Sequence, residues 1–373
     1  MGRYRKVPTE KEMIEQLGMG EVSLPPLSFR LLESSDQLGG NSSFDALLEA
    51  AWDKKRARFV VECESLSTPK MFQRGLTRLK TMSLPKDYLP LLFLPFLSGQ
   101  RLRELEQEGI SGVDLCGNGV VIAPGRFAVF RSGEENRFTT SAPIKNIYRK
   151  NSSMVARVFL LRSSYDTVQD ICTEINSRNL LVERFNKKAM NLSTVSKVLK
   201  TLEDDLIIER QNRIRLLQPD KLLEKLSKNY VSPIIKECAR INMPGGLETT
   251  AKLLKKESRA LGLPLVATAT SSIKRYAVMQ REDILSVYCP RIEKLLERLP
   301  GSQSDRFPNL ELIETEDETA YFDCRQEENF YWASPVQVYL DLMTGDKRDR
   351  ESAEQVRSYI MNSLAARGKS PQI

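Results

Sequence analysis

The chain contains no histidine in 373 residues. That absence removes Ser–His and Cys–His nucleophile pairs, histidine general bases and histidine-held metals. Any hydrolytic chemistry would have to rest on carboxylates, lysines and a hard cation. Cysteine is sparse as well. Six cysteines stand singly at positions 63, 116, 172, 238, 289 and 324, with no C-x-x-C pair, so neither a zinc ribbon nor a disulfide framework is expected. No apolar run approaches the length of a bilayer span, and the opening MGRYRKVPTEKEM lacks the apolar stretch of a signal peptide. The expectation is a cytoplasmic protein with reduced thiols and no membrane partner.

What is present is enough apolar sequence, 41% of residues, for packed cores, on a chain long enough for two or three domains. The net charge of +7 is unevenly spread. Residues 1–145 carry 20 Lys+Arg against 18 Asp+Glu, residues 146–232 carry 16 against 10, and residues 233–373 carry 20 against 21. Most of the excess sits on the middle segment, as expected of an electrostatic footprint for a polyanion.

That segment reads as a winged helix-turn-helix over residues 152–217. An apolar helix, SSMVARVFLLRSS, is followed by DTVQDICTEI, for which Asp166 is the expected cap, and then by NLSTVSKVLKTLEDD. In this third helix Val195, Val198, Leu199 and Leu202 recur at i, i+3, i+4 and i+7 and should be buried. Thr194, Ser196, Lys197, Lys200 and Thr201 should then point outward, offering hydroxyls for base edges and lysines for phosphates in a major groove. The strand pair LIIERQNRIRLLQP turns at Gln211-Asn212 and supplies Arg210, Arg213 and Arg215 as a basic wing. Between the second and third helices lies NSRNLLVERFNKKAM, far longer than the usual turn of about three or four residues. Two readings stay open for it: extra phosphate contacts through Arg178, Arg184, Lys187 and Lys188, or helix boundaries placed elsewhere.

Residues 42–130 alternate strand and helix signals. Strands are expected at Phe44–Glu49, Ala57–Glu64, Leu89–Leu97 and Gly112–Ile122, the last passing through a Gly-Asn-Gly turn, with helices from Pro69 and over 99–108, in the manner of helices covering a mixed sheet. Strand periodicity puts Glu62 and Glu64 on one face. With Asp45 they form a candidate set for a divalent cation that would activate water against a phosphodiester. The order Asp45, VVECES, helix, strand, helix, strand resembles the PD-(D/E)xK nuclease-like fold. Asp45 matches the first acid of that pattern and Glu62 the second, while Glu64 stands where the family normally has its lysine. The resemblance implies either an active nuclease using Mg2+ at Asp45 and Glu62, with catalytic residues Asp45, Glu62 and Glu64, or a degenerate fold kept as a binding platform. The missing lysine favours the platform.

Beyond Ser232-Pro233 the texture changes. Short strands are expected near 284–288 and 310–314, Ser334 and Pro335 open a helix, and Ala353, Val356, Ile360 and Leu364 form one stripe on the last helix. Asp317, Asp323, Asp341, Asp346 and Asp349 read as solvated loops. The block WASPVQVYLDLMTGDKRDRESAEQVR, preceded by LVATATSSIKRYA, VYC and FDCRQEENFYWASP, resembles the terminal signature of AbiEi-like type IV antitoxin regulators. With GVDLCGN and the winged helix, the likeness spans most of residues 42–362.

The expected architecture is therefore α/β plus α+β: an N-terminal extension (1–40), a nuclease-like mixed sheet with helices (41–145), a winged helix-turn-helix (146–232) and a C-terminal α+β domain (233–373). The expected function is a sequence-specific DNA-binding repressor without a cofactor, with a metal-dependent nuclease as the alternative. Double-stranded DNA is the principal partner, and paired half-sites would call for a homodimer. The family resemblance further implies autoregulation and a genetically linked nucleotidyltransferase-like toxin countered without obligatory contact.

Overall fold

Side chains alternate along the strands of the first unit, Met1–Ala142, and sort it into three layers. The computed structural model describes residues 6–34, 43–138, 146–278, 284–327 and 330–369, with only the backbone of Arg184, Ala269, Gly368 and Lys369. The first unit runs α1 (Glu10–Gly18), β1 (Ser28–Ser34), β2 (Ala46–Trp52), β3 (Lys55–Cys63), α2 (Pro69–Thr81), β4 (Tyr88–Leu94), α3 (Gly99–Gln107), β5 (Ser111–Asp114), β6 (Gly119–Ala123) and β7 (Phe127–Arg131). Its seven strands lie side by side in sequence order. The outer pairs are antiparallel, whereas β3, β4 and β5 are parallel, joined by α2 and α3.

Ala57, Phe59, Val61 and Cys63 of β3 share one core with Met13 and Leu17 of α1. The opposite face packs Leu92 and Leu94 against Phe72, Leu76 and Leu79 of α2 and Leu102 and Leu105 of α3. Residues 10–34 are thus not an extension ahead of the sheet: α1 covers it and β1 pairs with β2. The expected Gly-Asn-Gly turn divides 112–122 into two strands. The Asp114 carboxylate accepts the backbone N–H groups of Leu97, Cys116, Gly117 and Asn118, each at 2.8 Å, and folds the segment into the antiparallel pair β5–β6.

The second unit, Pro143–Ile373, begins with α4 (Ser153–Val158), β8 (Ser164–Tyr165), α5 (Val168–Ser177), α6 (Leu180–Phe185), α7 (Leu192–Asp204), β9 (Ile208–Arg210), β10 (Ile214–Leu216) and α8 (Pro219–Lys228). It continues with β11 (Glu237–Asn242), α9 (Leu247–Leu261), β12 (Val266–Ala267), α10 (Ala269–Ser272), β13 (Leu285–Cys289), α11 (Glu293–Leu296), β14 (Ser302–Gln303), β15 (Leu310–Glu314), β16 (Arg325–Glu327), β17 (Phe330–Trp332), α12 (Pro335–Met343) and α13 (Lys347–Lys369). A small sheet has the order β8-β10-β9, and a mixed seven-stranded sheet the order β14-β11-β15-β13-β12-β17-β16. The change of texture at Ser232-Pro233 does not interrupt the core. One apolar cluster joins Val195, Val198, Leu199 and Leu202 of α7 to Val336 and Leu340 of α12 and to Ala353, Val356, Ile360 and Leu364 of α13. Among the described residues no helix is long and apolar enough to cross a membrane.

A buried polar network runs through the same unit. Arg157 of α4 is 3% exposed and donates to Gln337 Oε1 at 2.8 Å and to the Thr319 carbonyl at 3.4 Å. Gln337 in turn donates to Tyr230 Oη at 2.7 Å and to Asp341 Oδ2 at 3.1 Å. Asp341 and Asp323 therefore depart from the expected solvated surface. Asp341 is hydrogen-bonded to Tyr230, and Asp323, 4% exposed, pairs with Arg178 at 2.7 Å. Burial raises the pKa of both carboxyls above the ordinary range.

Candidate nucleic-acid interface and the buried acidic pair

Helix α7 is fixed from below and capped at its start. Val195, Val198, Leu199 and Leu202 are each 0% exposed, which at about 1.5–3 kcal/mol per side chain anchors the helix firmly. Asn191 is the N-cap, its side chain accepting the Thr194 N–H at 2.8 Å. The opposite face carries Ser193, Ser196, Lys197 and Lys200, all exposed and spaced i, i+3, i+4 and i+7. Thr194 and Thr201 sit half-buried at its margins. Ser193 escaped the sequence reading although the same periodicity selects it. Lys197 and Lys200 have no ion-pair partner among the described residues.

The strand pair behind α7 behaves less uniformly. Arg210 and Arg215 are exposed, and Arg215 lies 3.7 Å from Glu209, its cross-strand neighbour. Arg213 is drawn inward, its Nε 2.7 Å from Asp166. Asp166 therefore serves as a counter-ion and is not the cap of α5. That role belongs to Thr167, in a reciprocal capping box with Asp170.

The long segment before α7 contains helix α6, begun by the Asn179 side chain and ended by Asn186 in the left-handed conformation. Leu180 and Leu181 pack with Val266, Tyr288 and Tyr321, so the insert is bolted to the larger sheet. Its cations are largely engaged. Arg178 pairs with Glu174 and Asp323, and Lys187 with Glu316 at 2.8 Å. Glu316 also accepts Lys236 at 2.7 Å, and these two lysines hold its carboxyl down to about 2. Lys188 alone of the described candidates here is exposed and unpaired, and the Arg184 side chain lies outside the described residues.

In the first unit Glu62 and Glu64 do share the α2 face of β3, and both are 0% exposed. Helix α2 presses on them at Gly75, where a Cβ would come within 2.5 Å of Leu92 Cδ1 and 3.3 Å of Glu64 Cγ. Arg74 grips both oxygens of Glu64, at 2.6 and 2.5 Å. Arg78, one turn on, is the ion-pair partner of Glu62. Burial, then the charge of Asp45, nonetheless pushes the Glu62 carboxyl up to about 8 against the pull of Arg78. Asp45 uses Oδ2 to accept the Cys63 N–H at 2.8 Å.

A divalent cation would need oxygens of these three acids turned to one point. In this arrangement Arg74 and Arg78 pair with Glu64 and Glu62, and among the described residues no group of three Asp, Glu or Cys is arranged to hold a metal ion. Compared with protein-family models, with curated proteins and with solved structures, the chain finds no match.

Proposed function

We propose that the chain is a sequence-specific regulator that binds double-stranded DNA, with residues 152–217 acting as a winged helix-turn-helix and α7 as its recognition helix. The observation that carries this reading is the contrast across α7: a fully buried apolar stripe beneath, and Ser193, Ser196, Lys197 and Lys200 exposed above with no counter-ion for either lysine among the described residues. Hydroxyls reach base edges and ammonium groups reach phosphates, which is the division of labour a groove-reading helix needs. Arg210 and Arg215 supply the flanking backbone contacts. Arg213 and Lys187 are paired with Asp166 and Glu316 in the free chain, so each would have to exchange an internal partner for a phosphate. The resemblance of 332–357 to AbiEi-like regulators favours an autoregulatory, antitoxin-like repressor alongside a nucleotidyltransferase-like toxin, and paired half-sites would call for a homodimer.

Fluorescence anisotropy on the DNA upstream of its own gene, with a scrambled duplex as competitor over a salt series, tests the reading. Tight binding that survives the competitor at moderate salt supports it. Equal binding to both duplexes that collapses with salt overturns sequence specificity and leaves phosphate attraction only.

A further inference from the structure

The sheet of the first unit carries a second cationic surface that the recognition helix does not account for. Glu49 of β2 stands in register between Arg30 of β1 and Arg58 of β3, and Arg56 lies two residues from Arg58 on the same face. All three guanidinium groups converge on this one carboxylate, Arg30 at 3.1 Å, Arg56 at 3.3 Å and Arg58 at 4.0 Å. The carboxylate is 9% exposed, the three arginines 66%, 64% and 56%. Lys54 and Lys55, both exposed, extend the cluster at the β2–β3 turn, with Asp53 the acid between the strands.

Neutralising a buried carboxylate takes one arginine, and burying it has a substantial desolvation cost. Three arginines leave two positive charges uncompensated, held side by side and pre-aimed at solvent. Strand spacing puts the Arg30 and Arg58 backbones about 10 Å apart across β2. Planar, always-charged forks in such a row suit phosphate oxygens, which they bind in pairs. This surface lies at the opposite end of β3 from Glu62 and Glu64, so it is separate from the acidic pair.

We infer that Arg30, Arg56 and Arg58, organised by Glu49, form a second phosphate-binding surface for double-stranded DNA. The identity of the polyanion rests on the DNA-binding reading above; the surface itself does not. The surface positions the first unit on the sugar-phosphate backbone and reads no bases.

The test uses the full chain and the upstream duplex. R30Q/R56Q keeps Arg58 to neutralise Glu49, and R56Q alone keeps two partners. Every phosphate that the protein ceases to neutralise lowers the slope of log Kobs against log salt by about 0.9, so a fall of about 1.8 is expected for the double variant and about 0.9 for the single one. An unchanged slope in both, with wild-type thermal stability, overturns the proposal. K197A/K200A measured in parallel separates the two readings. If α7 does not bind DNA, that variant keeps the wild-type slope while R30Q/R56Q still lowers it. If only the sheet surface is wrong, the pattern reverses.

Discussion

Two regions of this molecule place charge on regular elements and treat it in opposite ways. On β3 and α2 two glutamates are fully buried and each is met by an arginine of the same unit. On α7 two lysines stand in solvent and are met by none among the described residues. Both sites are built from a well-packed element with charge on one face, so packing does not distinguish them. What does is whether the chain supplies its own counter-ion. A charge answered internally is committed to the fold, and a charge left unanswered on a rigid support is available to a partner.

The sharpest way to break the comparison is to remove an answered charge and an unanswered one and read both stability and binding. Arg74→Ala leaves the fully buried Glu64 carboxylate without its ion-pair partner, at a cost of about 3 kcal/mol in denaturant unfolding. Lys197→Ala/Lys200→Ala should leave unfolding within about 0.5 kcal/mol of wild type, as exposed substitutions do. The same pair should weaken operator binding at least tenfold, as two phosphates left without a cation require. If the lysine pair destabilised the fold and spared binding, the distinction would fail.

A further effect concerns pH. The Glu62 carboxyl is raised from its ordinary 4.5 to about 8, so the folded state favours its protonated form. Its stabilising contribution is full below about pH 4.5 and is lost as pH rises through about 8. In a Trp332→Phe background, where Trp52 reports the first unit, stability should decline from pH 5 towards pH 8. Glu62→Gln should flatten that decline, and a decline that persists in the variant would mean another group is responsible. The smallest effect is expected at Lys187. Its pair with Glu316 is partly exposed, so Lys187→Ala should cost about 0–1 kcal/mol and leave operator affinity unchanged. A tenfold loss of affinity there would return the α6 segment to the interface.

The parts legible in the sequence are those governed by local periodicity. The α7 stripe, the α2 face of Phe72, Leu76 and Leu79, the Ser334–Pro335 start of α12 and the shared face of Glu62 and Glu64 all follow from spacing alone. Some missed features had local signals as well. The Thr9-x-x-Glu12 capping box announces α1, and Asn179 with Asn186 brackets α6. Other features have none. That Arg213 belongs to Asp166 and Lys187 to Glu316 depends on pairs 47 and 129 positions apart, set by tertiary packing. The three arginines around Glu49 become neighbours only through strand register, which no single strand encodes.

The continuous core of the second unit carries a consequence for how this protein can be taken apart. Helix α7 rests on the same apolar cluster as α12 and α13, so residues 146–232 are not a transferable reading head. A truncation after Ser232 would strip the support from beneath the lysines it aimed to preserve. Any event that loosens the last helix, whether a substitution at Val356 or Ile360 or the grip of another molecule, acts on the same apolar cluster that supports α7. The C-terminal helices are, in mechanical terms, the mount on which α7 and its two lysines are held.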